Sequence, residues 1–333
     1  CELPRVRRQM EDPEAFLSAL SDKRVVLDEI HRLADPSELL KIAADHFPSL
    51  RVAATGSSVL EASSRFRDKL TGRKAQLWIT PMNAEDLKNF GGRDLPFRFL
   101  RGGLPPFFLS PHAPEREFQE WMDSYWAKDI QELFRLERRS SFARFLELLL
   151  AQSGGIFEAT RFAAPCEISR TTVQNYLAVL EASRVIHVIR PFSTHKPAEI
   201  VAAPKTYGFD TGFVCCFRGW DKLRQDDMGP LWEHYVLNEL QSLLQGAPIR
   251  YWRDKAGHEV DFVLPRRAGV PSAVECKWKA GSFDPANLLA FRRRYPHGEN
   301  WAVCSDVART HARAFQGLTV RFCGLGEART IIA

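Results

Sequence analysis

The stretch that decides the fold reads His258-Glu259-Val260-Asp261-Phe262-Val263-Leu264, then Pro265-Arg266-Arg267-Ala268-Gly269-Val270-Pro271, then Ala273-Val274-Glu275-Cys276-Lys277-Trp278-Lys279. Both flanks alternate with period two, which predicts two half-buried strands joined through the Pro/Gly-containing middle. Val260, Phe262 and Leu264 would share one face of the first strand. Val274, Cys276 and Trp278 would share one face of the second. A hairpin symmetric about Ala268 sets Asp261 opposite Glu275 and Glu259 opposite Lys277. Cross-strand neighbours lie about 4.5–5.5 Å apart at Cβ, and like charges there destabilise the sheet. A divalent cation would offset that repulsion, because hard carboxylate oxygens suit Mg²⁺ or Mn²⁺.

An Asp followed by Glu-x-Lys on the next strand resembles the signature of PD-(D/E)XK nucleases. The resemblance implies that Asp261 and Glu275 hold the metal while Lys277 orients or activates a water against a phosphodiester. Upstream, Leu231-Trp232-Glu233-His234-Tyr235-Val236-Leu237-Asn238-Glu239-Leu240 has the apolar spacing of an amphipathic helix. Glu233, near its start, would add a third acid to the metal and catalytic set. Two plainer readings stand beside this one: a nuclease fold without activity, and a charged strand face open to water.

The rest of the chain bounds the class. Its 333 residues suit two or three domains, and 45% hydrophobic with 26% charged residues is the balance of soluble globular protein. A net charge of +5 permits an anionic partner such as DNA without demanding one. Seven cysteines with no C-x-x-C pair argue against a disulfide framework or thiol zinc site, and for a reducing, cytoplasmic setting. No apolar run reaches membrane-spanning length, and nothing at the start resembles a signal peptide. The chain opens on Cys1 rather than Met, so the numbering is expected to begin inside a longer polypeptide.

Near that start, Asp12-Pro13 opens a helix carrying Phe16, Leu17 and Leu20. Lys23-Arg24-Val25-Val26-Leu27-Asp28-Glu29 then reads as a buried strand ending in two acids, the Walker B arrangement. Asp28 would serve the Mg²⁺ of a nucleotide and Glu29 would polarise the attacking water. A helix over 36–47 and a second buried strand, Leu50-Arg51-Val52-Ala53-Ala54-Thr55-Gly56-Ser57-Ser58, complete a strand–helix–strand unit. Its polar strand ends would share one rim of a parallel sheet, where ligands bind.

These blocks, with Lys69-Leu70-Thr71-Gly72-Arg73, Gly102-Gly103-Leu104-Pro105, Tyr125 to Ile130, Gly208-Phe209-Asp210-Thr211-Gly212 and Gly229-Pro230-Leu231-Trp232-Glu233, occur in the order of a known family. The chain resembles prokaryotic AAA-type ATPases that carry a C-terminal domain of unknown function with a PD-(D/E)XK nuclease-like fold. By that resemblance Asp28 and Glu29 are the Walker B acids, and Thr55 or Ser57 is the sensor at the next strand's tip. Arg73 would contact the γ-phosphate across a subunit boundary as an arginine finger, which implies a homo-oligomer. The departure is that Gly-Lys never occurs, so the phosphate cradle G-x-x-x-x-G-K-[ST] is missing. Either the cradle lies upstream of Cys1, and ATP binds when it is present, or the ATPase is degenerate.

The middle is helical: an apolar stripe over 114–138, a second over 141–153, a short helix over 156–164, and a helix over 170–181 capped by Ser169. With the strand Val185-Ile186-His187-Val188-Ile189, this order resembles a winged helix-turn-helix. Arg170, Thr171, Thr172, Gln174 and Asn175 would then face phosphates and base edges, or the module serves packing alone. Arg292-Arg293-Arg294 reads as a solvated basic face at a helix end. The expected architecture is α/β throughout: a partial AAA-type parallel-sheet ATPase domain over 1–110, a helical and winged-helix module over 111–200, and a PD-(D/E)XK nuclease-like α/β domain over 201–333. The functions implied are an ATP-driven enzyme acting on DNA, or a non-catalytic regulator binding nucleic acid or protein on relic folds.

Overall fold

The computed structural model describes residues 1, 3–56, 70–126, 130, 138–193, 203–265 and 270–332. The chain divides into two compact units, one of Cys1–Leu77, Met122–Arg139 and Asn175–Val185, the other of Trp78–Trp121, Ser140–Gln174 and Ile186–Ala333. Among the described residues, no helix is long and apolar enough to cross a membrane.

The first unit contains β1 (Arg24–Leu27) and β2 (Arg51–Ala54), paired in parallel from Arg24↔Arg51 to Leu27↔Ala54. The helix Pro36–His46 crosses between them, its first turn held by the Asp35 carboxylate, which accepts from Glu38 N at 3.0 Å. Asp12 likewise accepts from Ala15 N at 3.0 Å and caps Pro13–Ser18. Leu17, Leu27, Ile30, Leu39 and Leu50 form the core. The two strands are not buried as their apolar runs suggest: Val26 is 70% exposed, and β2 has no buried residue. A two-stranded sheet with its apolar contacts on one face leaves the other open.

The second unit is built on a mixed sheet. Its strands are β3 (Gly155–Ile156), β4 (Ile186–Pro191), β5 (Lys205–Gly208), β6 (Arg250–Arg253), β7 (Glu259–Leu264), β8 (Ser272–Lys277), β9 (Asn300–Cys304), β10 (His311–Phe315) and β11 (Leu318–Cys323). Among the described residues they run β10-β11-β9-β8-β7-β6-β4-β5-β3. β7 and β8 thus lie at the centre, not in a free hairpin, and are buried on both faces. The helix Gln225–Leu244 packs Leu231, Trp232 and Tyr235 against Phe262, Leu264, Val274 and Cys276. The helix Ala286–Arg294 packs Leu288 and Phe291 against Val260, Val263 and Ala273. Val260 therefore does not share a face with Phe262 and Leu264, as strict alternation predicts. The cause is a β-bulge: Arg250 pairs with Val263 but Trp252 with Val260, so β7 carries one extra residue across Asp261 and Phe262. Bulges re-aim the side chains they contain.

Two glycine blocks fold onto one another. Gly102 adopts φ +78°, and a Cβ there would lie 2.0 Å from Asp210 Oδ1. Asp210 accepts from Gly103 N at 2.5 Å and Gly212 N at 2.8 Å, and lies 3.7 Å from Arg98, both side chains almost fully enclosed. Arg98 also donates to Thr211 Oγ1 and Met82 O. These glycines are there for close approach of backbone to an enclosed ion pair.

The helical middle follows the expectation with shifted ends. Helices span Glu115–Tyr125, Arg139–Ala151, Ala159–Ala163 and Arg170–Ala182. Phe118, Met122, Tyr125, Trp126 and Ile130 are buried, while 127–129 and 131–137 fall outside the described residues. The short helix starts three residues late because Gly155–Ile156 pairs with β5. Ser169 Oγ accepts from Thr172 N at 3.1 Å, the cap its sequence predicts. Arg292 overturns the solvated basic face: it is 7% exposed and donates to the carbonyls of Pro271, Tyr295, His297 and Glu299 and to Asn300 Oδ1. Arg293 and Arg294 are exposed as expected.

Candidate functional site

In the first unit, β1 delivers Asp28 and Glu29 and β2 delivers Thr55. The Thr55 hydroxyl donates to Asp28 Oδ1, and Glu29 N lies 3.3 Å from Thr55 Oγ1. Thr55 N donates to Leu27 O and Ile30 N to Thr55 O, both at 2.9 Å, so the strand tips are laced together by backbone. Glu29 sits in the left-handed region at φ +54°, a conformation non-glycine residues hold at a cost of about 1–3 kcal/mol, most often at functional sites. Its carboxylate lies 3.4 Å from His31 Nε2 and is 42% exposed. Arg73 is not beside these acids through any described contact; it pairs with Asp45 at 2.6 Å. Ser57 lies outside the described residues.

In the second unit the acids are buried. β7 and β8 pair Phe262↔Val274, Val263↔Ala273 and Leu264↔Ser272, and continuing that register sets Asp261 opposite Glu275. Asp261 is 9% exposed and Glu275 0%. Asp261 Oδ2 accepts from Cys276 N at 2.7 Å, which fixes the bulged residue on the neighbouring strand. Lys277 Nζ lies 2.7 Å from Glu275 Oε2 and 3.9 Å from Asp261 Oδ2. Burial, with the neighbouring Glu233 and Glu275 carboxylates, pushes Asp261 well above the ordinary carboxylate range. Burial also raises Glu275, against the pull of Lys277. Asn287 approaches the Glu275 carboxylate and favours its charged form, yet Glu275 Oε1 has no partner at hydrogen-bond distance.

Glu233 and Glu259 are held differently. Lys205, from β5, places its Nζ 3.0 Å from Glu233 Oε1 and 2.5 Å from Glu259 Oε1. The Tyr207 hydroxyl donates to the same Glu233 oxygen. Glu259 therefore does not pair with Lys277 as hairpin symmetry suggests; the bulge and Lys205 take it elsewhere, with the exposed Arg253 at 4.0 Å. Burial alone would depress the Lys205 ammonium, but Glu233, Asp261 and Glu259 outweigh it and hold it above the usual lysine range. Sequence reasoning missed Lys205 and Tyr207. Their signal was slight: a lysine and a tyrosine two residues apart, on one side of a short strand before Gly208-Phe209-Asp210.

Among the described residues, no three His, Cys, Asp or Glu side chains converge to hold a metal ion. Of the expected three acids, Glu233 lies near enough to Asp261 to act on its charge, while one of its oxygens is held by Lys205 and Tyr207. What remains fits a divalent cation of the kind held by one or two carboxylates plus substrate oxygens. Four carboxylates, Glu233, Glu259, Asp261 and Glu275, face the buried Lys205 and the partly exposed Lys277, and one buried carboxylate oxygen, Glu275 Oε1, lacks a partner. His258 pairs with Asp254 at 2.8 Å in the preceding turn. On the helix Arg170–Ala182, Arg170, Thr171, Gln174 and Asn175 are exposed, while the Thr172 hydroxyl is 2.9 Å from Ser169 at the cap.

Residues 1–88 match the AAA domain family. The matched segment contains β1, with the acids Asp28 and Glu29 at its tip. Residues 92–224 and 228–314 match two domains of unknown function, DUF8612 and DUF4143. Two curated relatives, "Uncharacterized protein Mb2031c" of Mycobacterium bovis and "Uncharacterized protein Rv2008c" of Mycobacterium tuberculosis, are each 26% identical over 279 residues. The alignment covers 81% of this chain but 62% of each relative, so the chain spans less than two thirds of their length. Among solved structures, a half-complex from a tetradecameric assembly of Thermococcus gammatolerans McrB AAA+ hexamers with bound McrC shares 10% identity, covering 91% of this chain and 94% of that one. Its TM-score of 0.25 is too low to carry any argument about this chain.

Proposed function

We propose that the second unit is a phosphodiester-hydrolysing module of an AAA-type, DNA-directed ATPase, working with one divalent cation. The observation that carries this reading is the enclosure of Asp261 and Glu275 together, with Lys277 between them. Burying two carboxylates side by side costs several kcal/mol per ion unless something compensates it; Lys277 supplies one positive charge to the two, and a bound cation would supply the rest. Asp261 and Glu275 would hold the cation, which when bound polarises a phosphoryl oxygen and lowers the pKa of a bound water. Burial would depress Lys277, but Asp261 and Glu275 outweigh that and keep it an ammonium at neutral pH. It therefore acts as a hydrogen-bond donor that orients the attacking water or steadies charge on the phosphate, and not as a general base.

In the AAA-type segment Asp28 would serve a nucleotide-bound Mg²⁺, and Glu29 would polarise water. Turnover needs a phosphate cradle that these 333 residues do not contain, since Gly-Lys is absent. Arg170, Gln174 and Asn175 are exposed on one helix and suited to phosphate contacts.

The test is Mn²⁺ or Mg²⁺ titration of the full chain, followed by incubation with single- and double-stranded DNA. Metal should raise the melting temperature in a concentration-dependent way, and Asp261→Asn should abolish that rise. Lys277→Ala should keep the metal effect and lose cleavage. A melting temperature indifferent to millimolar metal, with no cleavage of either DNA form, would leave a non-catalytic binding protein as the function.

A further inference from the structure

The hairpin of β10 and β11 carries charge of one sign. From Val307 to Gly326 the chain holds Arg309, His311, Arg313 and Arg321, and no Asp or Glu. Among the described residues β10 is an edge strand of the sheet, and 309–314 are all exposed. The acids bordering the hairpin are engaged. Asp306 accepts from Ala280 N at 2.9 Å, Glu327 from the amide and hydroxyl of Thr310, and Glu299 pairs with Arg321 at 2.5 Å. Arg309 and Arg313 make no ion pair among the described residues. The His311 ring stacks on Phe322 with centroids 5.4 Å apart and planes 11° apart, and the Arg313 guanidinium lies 4.9 Å from the centroid of the same ring. Stacking on a buried ring orders these planar groups in advance, so less freedom is lost when an anion binds.

Register ties the hairpin to the acid pair. Glu275 is level with Ala302, Ala302 with Phe322 and Phe322 with His311, one row across β8, β9, β11 and β10. Three strand spacings of about 4.8 Å put His311 roughly 14 Å from Glu275. A DNA strand places about four phosphates along that length of duplex. β8, β9 and β11 run in parallel and β10 against them, so β10 starts at the end of the sheet where β8 delivers Lys277.

We propose that the β10–β11 hairpin is a docking surface for the phosphodiester backbone of DNA, with Arg309 and Arg313 contacting phosphates beside the one presented to Asp261 and Glu275. The direction of the backbone toward the acid pair rests on the proposed nuclease reading; binding at the hairpin does not. Charges on an edge strand also discourage pairing with another chain, but either sign would serve that purpose. A hairpin with cations alone suits an anionic partner.

The experiment is fluorescence anisotropy of a labelled DNA duplex with the full chain, in EDTA to prevent cleavage, over a series of salt concentrations. Arg309→Gln with Arg313→Gln should weaken binding by about tenfold at low salt and make the log–log salt slope shallower by about two units. Arg309→Lys with Arg313→Lys should keep the parent's slope, because counterion release depends on charge. Arg116→Gln with Lys222→Gln removes the same charge from exposed positions elsewhere in this unit and should leave the slope unchanged. If the glutamine pair does not fold, Arg309→Gln alone decides, with a slope shallower by about one unit. An unchanged slope in the hairpin variant, an equal loss in the control pair, or a parent that binds no DNA overturns the proposal. The expected slopes without cleavage on adding Mn²⁺ would defeat the nuclease reading and leave the hairpin's role standing.

Discussion

The molecule holds two pairs of acids at strand ends, and they live under different physical rules. Asp28 and Glu29 close an open two-stranded sheet, where water solvates them and a threonine hydroxyl is enough to position Asp28. Asp261 and Glu275 lie at the centre of a sheet covered on both faces, where each charge must be matched by a specific partner. The same residue types are thus inexpensive in one unit and costly in the other. An exposed acid pair can be kept or lost with little effect on folding, so its chemistry shows only in turnover. A buried pair imprints itself on stability, pH dependence and metal response even without substrate.

The contrast can be sharpened with a third charged group. Arg98 and Asp210 form an enclosed pair bonded to Thr211, Met82, Gly103 and Gly212, with Arg98 Nε alone of these groups left without a partner among the described residues. Asp210→Ala should cost about 4 kcal/mol by leaving Arg98 buried and uncompensated, and Mn²⁺ should not restore it. Lys277→Met should cost somewhat less, about 3 kcal/mol, because the lysine is 24% exposed and water recovers part of the loss. Here Mn²⁺ should restore most of the stability by supplying the missing positive charge. Denaturant melts with and without metal distinguish the two. Equal rescue, or none in either case, would erase the difference between a closed ion pair and a cation site.

A smaller effect should appear in the pH dependence of the metal-free chain. Asp261 is raised in the folded state, so the folded protein binds more protons than the unfolded one above the ordinary carboxylate range. Its contribution to stability is therefore present at acidic pH and is lost as pH rises toward the folded pKa. In the presence of EDTA, Asp261→Asn should raise the melting temperature more at pH 8 than at pH 5. An equal effect at both would mean that Asp261 is charged throughout. The smallest stability effect belongs to the exposed pair: Glu29→Gln should change unfolding free energy by about 0.5 kcal/mol or less. In a form of the protein that hydrolyses ATP, the same substitution should slow turnover by about 100-fold while ATP still binds. A large melting shift from Glu29→Gln would show that the two acid sites do not differ as described.

Much of this organisation is legible in the residues because it is local. Period-two alternation determines two adjacent strands whose register, continued past Phe262↔Val274, brings Asp261 opposite Glu275. An apolar run ending in Asp-Glu, followed by a helix with an Asp cap and a second run ending in Thr55, determines a parallel strand–helix–strand unit. These patterns depend on neighbours a few residues apart, and backbone periodicity enforces them. What only the tertiary structure decided is who meets whom over long separations. Lys205 reaches Glu233 and Glu259, Asp210 locks onto Gly102 and Gly103, and Arg292 turns inward to five acceptors instead of facing water. The bulge at Asp261 belongs with them, since it exists only where β6 and β7 pair. A lysine's sequence neighbours do not reveal whether its charge will be solvated or enclosed; that depends on which carboxylates the packed sheet brings within 3 Å, and here it gives Lys205 both Glu233 and Glu259.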